Sequence, residues 1–235
     1  MVKRKENKAR MARNGVIAFI TVIAILMLGF ATYVTTPLSD QDIAESDYRE
    51  VNSPKPRRKG SPIEVVEYFS YGCIHCKNFE PVIVSWAEDQ GDAVAFSRVP
   101  AMFSPIQTML GRTYLTLESE GALEQNHMRI FRAIHDAGRQ FLTPDMIGDY
   151  IDGRGISKAD FLRAYNAPSM RSATRAAEKE VRENQISATP SMLVGGRYVV
   201  SMQGGQNHAL NVVEYLIEKI RAEESGSTSA AITSE

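Results

Sequence analysis

Only two cysteines occur in the 235 residues, Cys73 and Cys76, with Ile74 and His75 between them. They close the stretch Glu67-Tyr68-Phe69-Ser70-Tyr71-Gly72-Cys73-Ile74-His75-Cys76, where an apolar run gives way to residues with helical spacing. Two thiols this close can join at a strand-to-helix junction only if the first helical turn brings them together, which puts the first sulfur at the helix N-terminus. Free backbone N–H groups and the positive end of the helix dipole favour an anion there, so the Cys73 thiolate is expected to be stabilised over the thiol. The thiolate is the form that attacks a disulfide, and a low-pKa sulfur is also the better leaving group. The imidazole of His75 can donate to the Cys73 sulfur or stabilise its charge. Each pKa unit so gained is worth about 1.4 kcal/mol, and stabilising the reduced form makes the disulfide a stronger oxidant.

A structural staple and a zinc site are the other uses of such a pair. A loop this small removes little chain entropy, and a chain of this length has core enough without a staple. A zinc ion wants a second pair of ligands, and His127, His135 and His208 do not supply one at ligand spacing. The residues favour dithiol–disulfide exchange, with no metal or organic cofactor.

The elements that must position the sulfurs follow from periodicity. Residues 63–69, Ile-Glu-Val-Val-Glu-Tyr-Phe, have the β-branched and aromatic character of a central strand buried on both faces. Glu67 is out of place there. Desolvation would raise its pKa and make it a proton acceptor near the cysteines, although periodicity alone equally allows a wet face or a salt bridge. Cys73 to about Gln90 reads as a helix with Phe79, Val82, Ile83 and Trp86 on one face and Pro81 expected to kink it. Ala93–Val99 supplies the next strand. From Ser104 the pattern turns helical. Leu123, His127, Ile130, Phe131 and Ile134 share a face, Thr143-Pro144 opens a helix that Gly153 stops, and Ser157 with Asp160 resembles a capping box. A last helix of this stretch spans 169–185. Thr189-Pro190 heads an apolar strand, Gly195-Gly196 is expected to close a two-residue hairpin into Arg197–Met202, and Leu210, Val213, Leu216, Ile217 and Ile220 line a final helix. The Ser-, Thr- and Ala-rich residues 225–235 are expected to be a disordered tail.

The segment around the cysteines, with an acid, aromatics, Ser and then C-x-H-C, resembles the active-site segment of the DsbA-type thiol:disulfide oxidoreductases, a branch of the thioredoxin superfamily. This chain has Ile74 where that family usually has Pro. Pro81, five residues after the second cysteine, matches a proline common in the superfamily. The resemblance covers about residues 60–224. It implies an α/β thioredoxin fold (61–103 and 186–224) with an inserted helical domain (104–185). It also implies a buried acid at Glu67, a stabilised Cys73 thiolate, and a cis-proline loop at Thr189-Pro190 facing the cysteines. There the Thr189 backbone could pair with an extended substrate. Cys73 would be the nucleophile and Cys76 the resolving thiol, acting on reduced exported polypeptides and reoxidised by a quinone-linked membrane partner. The rival redox readings are a reductase or an isomerase. Isomerase-like relatives with Thr before this proline carry a dimerisation domain that has no counterpart here, and cytochrome-maturation reductases usually carry Trp where Gly72 stands. A thioredoxin-like binding module or chaperone with an idle dithiol is the reading from another class.

The net charge of −1 hides an asymmetry, because residues 1–14 hold six bases against Glu6, a balance of +5 that leaves −6 for the rest. Nothing in it points to nucleic acid. Residues 15–34 carry no charge and are rich in Ile, Val, Leu, Phe and Ala, enough to cross a hydrocarbon core of about 30 Å as a helix. A cleavable signal would have a shorter apolar region and an A-x-A-like site. With the bases before the span and only Arg49 in the twenty residues after it, the N-terminus is expected to be cytoplasmic and the bulk periplasmic, anchored in a bacterial inner membrane. Residues 35–60 read as a linker with an r.m.s. reach of roughly 30 Å.

Overall fold

The computed structural model describes residues 22–23 and 43–232. The expected basic segment 1–14, the span 15–34 apart from the helical pair Val22 and Ile23, and the first part of the linker lie outside the described residues. The chain divides into a unit ending at Asp42 and a second beginning at Ile43. Among the described residues no helix is long and apolar enough to cross a membrane.

Strand β1 is Tyr48–Glu50 and β2 is Ile63–Phe69, followed by helix α1, Ile74–Gln90, and strand β3, Val94–Pro100. Five helices come next: α2 (Pro105–Ser119), α3 (Leu123–His135), α4 (Pro144–Ile151), α5 (Lys158–Tyr165) and α6 (Pro168–Glu183). Strands β4 (Ser191–Val194) and β5 (Tyr198–Val200) and helix α7 (Gln206–Ile232) complete the order. The sheet runs β1-β5-β4-β2-β3, with β2 and β3 parallel and the other neighbours antiparallel. A parallel pair requires a crossover, and α1 supplies it.

All of β2 except Glu64 is buried. Side chains alternate along a strand, so Ile63 and Val65 face the core formed with α1 and α7, while Val66 and Tyr68 face the one shared with Val181 and Ile186. By the same alternation Glu67 points to the α1 side. The buried stripe of α1 is Cys76, Phe79, Glu80, Ile83 and Trp86, which returns every three or four residues. Three of the inserted helices, α2, α4 and α5, start where the sequence places caps: Ser104, Thr143 and Ser157 accept from the N–H of Gln107, Met146 and Asp160. Their own core, which includes Leu117, Ile130, Phe131, Ile147 and Phe161, extends onto Phe69, Tyr71 and Cys76. The insertion therefore packs directly on the strand end and helix start that carry the sulfurs.

Three expectations need correction. The segment read as linker contributes β1 to the sheet: Tyr48 pairs with Val200, and its ring meets Tyr198 edge-on at 5.5 Å. Three residues are too few for alternation to register, and the neighbouring prolines masked it. Beyond β1, Val51 is buried, and Arg57 of the same segment pairs with Glu224 and donates to the Ser61 carbonyl at 2.6 Å. The hairpin uses three residues, because Arg197 N–H donates to Val194 O at 3.0 Å before Tyr198 takes up the ladder. Gly195 and Gly196 both have positive φ, 59° and 64°, as so tight a reversal requires. Finally, α7 continues to Ile232, into the residues 225–235 expected to be a tail. No proline interrupts those residues, so the helix propagates.

Candidate active site

Cys73 is the N-cap of α1, with extended φ and ψ of −99° and 115°, and its Sγ accepts from the Cys76 N–H at 3.4 Å. A tight turn sets that position: Cys73 N–H donates to Ser70 O at 2.9 Å, and Gly72 N–H to Ser70 Oγ at 3.3 Å. Cys73 is partly exposed and Cys76 fully buried, so only the first sulfur is open to another chain. The Thr189-Pro190 peptide is cis, and the Cys73 Sγ lies 3.3 Å from Thr189 O. A thiol can donate across that contact and a thiolate cannot, so it opposes ionisation.

The other contacts outweigh it. The Cys73 thiol is lowered to about 5, first by a hydrogen bond from the Cys76 thiol. Burial works the other way, and the Thr189 side chain and the backbone N–H groups of Cys76 and His75 add to the lowering. Cys76 is held far above an ordinary thiol, first by burial and then by Cys73. Two sulfurs with widely separated proton affinities share one helical turn. His75 contributes through its main chain and not through the imidazole expected from its position between the cysteines. The ring makes no hydrogen bond among the described residues; it is exposed and lines the neighbouring cleft.

Glu67 is 1% exposed. The burial and salt-bridge alternatives both hold, since its Oε2 accepts from Arg98 Nε at 3.1 Å while Oε1 is buried without a partner. Its pKa is pushed up to about 8, chiefly by burial, with Arg98 opposing and Glu80 and Cys73 adding to the rise. Arg98 stands beside Glu67 in the β2–β3 register and also donates to Glu80 Oε1 at 2.8 Å. Burial raises Glu80 too, but His127 and Arg98 more than compensate and hold it below the ordinary carboxylate value. His127 Nε2 lies 3.2 Å from Glu80 Oε2, close enough for an electrostatic contact but not aligned as a hydrogen bond.

Glu80 and Arg98 were not singled out in the sequence. Glu80 could have been, as a carboxylate on the apolar stripe one turn after Cys76. Arg98 carries no local signal, because its place depends on strand register. A cleft of about 570 Å³ lies beside the dithiol, lined among others by His75, Thr189, Pro190, Ser191, Tyr48 and Arg49. Among the described residues no group of three or more His, Cys, Asp or Glu side chains is placed to hold a metal ion.

A C-x-x-C pair capping the first helix after a central strand, opposite a cis-proline loop and under an all-helical insertion, defines a thioredoxin-fold thiol:disulfide oxidoreductase. The DSBA-like thioredoxin domain family matches residues 64–215. The thiol:disulfide interchange protein DsbA of Pseudomonas aeruginosa is 39% identical over 186 residues, covering 78% of this chain and 88% of that protein. Its namesake from Azotobacter vinelandii is 40% identical over 177 residues, covering 74% and 83%. The crystal structure of P. aeruginosa DsbA superposes with a TM-score of 0.74 at 38% identity, covering 79% of this chain and 98% of that one. The Xylella fastidiosa oxidoreductase DsbA gives 0.71 at 30% identity, with 77% and 98% covered. The chain belongs to the DsbA-like family.

Proposed function

We propose that this protein is a disulfide oxidase that donates its Cys73–Cys76 disulfide to reduced exported polypeptides in the periplasm, tethered to the inner membrane by residues 15–34. The observation that carries the direction is Cys73 itself, a partly exposed sulfur capping α1 whose thiolate is strongly favoured. Stabilising one thiolate stabilises the reduced pair, and that makes the disulfide readily given up.

The exchange balances as follows. A substrate thiolate attacks Cys73 Sγ, the Cys73–Cys76 bond breaks, and Cys76 leaves with the electron pair. Buried Cys76 cannot stay ionised, and Glu67, protonated near neutrality and electrostatically coupled to it, supplies the proton. The second substrate thiolate then attacks the substrate sulfur of the mixed disulfide, and Cys73 departs as a thiolate. The substrate loses two electrons and the protein's dithiol holds them. The Thr189 backbone opposite Cys73 suits pairing with an extended chain once the Cys73 thiol no longer donates to its carbonyl, and Pro190 shapes that approach. A quinone-linked membrane partner is the reoxidant implied by the family resemblance. Glu67 then takes back the Cys76 proton.

The test is the redox equilibrium of the pair against glutathione, together with titration of thiolate absorbance. A thiol that titrates near 5 and a strongly oxidising pair are expected. An ordinary thiol pKa with a thioredoxin-like potential would assign the protein to the reductases instead. Retention of the intact chain in washed inner membranes tests the tether, and release as a shortened soluble form would overturn it.

A further inference from the structure

Tyr71, two residues before Cys73, is 1% exposed and is gripped at three points by one helix of the insertion. Its hydroxyl is 2.8 Å from His127 Nδ1. Its ring meets Phe131 edge-on, with centroids 4.9 Å apart. Its carbonyl oxygen accepts from His135 Nε2 at 2.9 Å. His127, Phe131 and His135 stand four residues apart on α3 and therefore form one stripe along it. The same Tyr71 occupies the turn in which Ser70 O accepts the Cys73 N–H, and Gly72 offers no side chain to hold the backbone between them. The direction of the Cys73 side chain over the α1 N-terminus is thus set from Tyr71.

We propose that His127 and His135 are positioning residues for disulfide exchange, clamping Tyr71 at its hydroxyl and its carbonyl so that Cys73 stays over the first N–H groups of α1. The inserted helical domain is then part of the redox site. The contacts that favour the Cys73 sulfur as an anion exist only while the turn holds it at the helix start. The disulfide form, whose sulfur carries no charge, gains little from them. Loosening the clamp therefore shifts the equilibrium with glutathione toward the protein disulfide and makes the protein a weaker oxidant. The inference rests on the oxidase reading of Cys73.

Three variants of the full chain test it. Tyr71→Phe removes only the hydroxyl facing His127. His135→Ala removes the donor to the Tyr71 carbonyl, and His135→Gln keeps an N–H of similar reach. Tyr71→Phe and His135→Ala are each expected to shift the glutathione equilibrium about three- to tenfold toward the disulfide, the worth of one ordinary hydrogen bond. A tenfold shift corresponds to about 30 mV. The Cys73 thiolate titration should move upward in parallel, and His135→Gln should return both to within about twofold of the parent. A purely structural clamp would lower unfolding stability and leave both readouts in place, and that result overturns the proposal. So does a shift in only one of the two loosening variants, or a failure of His135→Gln to restore. Should His135→Ala not fold, Tyr71→Phe decides alone. The parent titration keeps the two readings apart: an ordinary Cys73 thiol in the parent refutes the oxidase assignment, whereas a low parent value unmoved in the variants refutes only the clamp.

Discussion

Replacing Glu67 by Gln swaps a buried carboxyl for a neutral group of the same shape, and its consequence can be worked out from the site. In the folded protein Glu67 titrates near 8 instead of 4.5, because burial disfavours the charged form more than Arg98 favours it. At pH 7 the folded residue is mostly protonated, while in the unfolded chain it is ionised. Keeping that proton costs about 3 kcal/mol, two and a half pKa units at roughly 1.4 kcal/mol each. The folded state binds more protons between about pH 4.5 and 8, so this contribution to stability falls as pH rises through that window and is intact below it. Gln bears no such cost and can still accept from Arg98. Equilibrium urea unfolding of the reduced proteins should find Glu67→Gln more stable than the parent by about 3 kcal/mol at pH 7 and nearly equal to it at pH 4.5. The same variant should pass disulfides more slowly, since the leaving Cys76 sulfur loses its proton source. A stability difference that does not change with pH, or a variant less stable at pH 7, would refute the assignment of Glu67 as a buried neutral acid.

Cys76→Ser should accumulate mixed disulfides with substrate through Cys73, seen as thiol-sensitive adducts on non-reducing gels, and Cys73→Ser should form none. Because the Cys73 pKa falls from 9 to about 5 on folding, the unfolded chain holds more protons between those values. The stability of the reduced protein relative to the oxidised one should accordingly rise from pH 5 to pH 9 and be lost as pH falls through 5, measurable by urea unfolding of both forms. Arg98→Met takes one of two neighbours from the buried Glu80 carboxylate, leaving His127, and should destabilise the fold by about 3 kcal/mol at pH 7, the low end of the cost of breaking a buried pair. That deficit should shrink as the pH is lowered and Glu80 takes up a proton.

Much of this site was legible because it is local. The spacing of Cys73 and Cys76, the apolar run before them and the helical pattern after them all lie within about two dozen residues. Strand and helix periods are properties of neighbouring side chains, and so are the caps Ser104, Thr143 and Ser157. Thr189-Pro190 was recognisable by its place at the head of a strand, although that it faces Cys73 came from the family resemblance. The short edge strand Tyr48–Glu50 was missed because three residues carry no period. The His75 ring was given a role that belongs to its N–H, because the sequence does not say which way a first-turn side chain points.

The chain's own order of residues determined the reacting pair and the strand and helix that meet at it. Only the tertiary structure decided which partners Glu67 has, that Cys76 is sealed while Cys73 is open, and that Tyr71 is held by histidines 56 and 64 residues away. The physical reason is the range of the forces involved. Backbone periodicity and capping act between neighbours in the chain. Desolvation, ion pairing and the parallel register that sets Arg98 beside Glu67 exist only once distant segments have excluded water from between them.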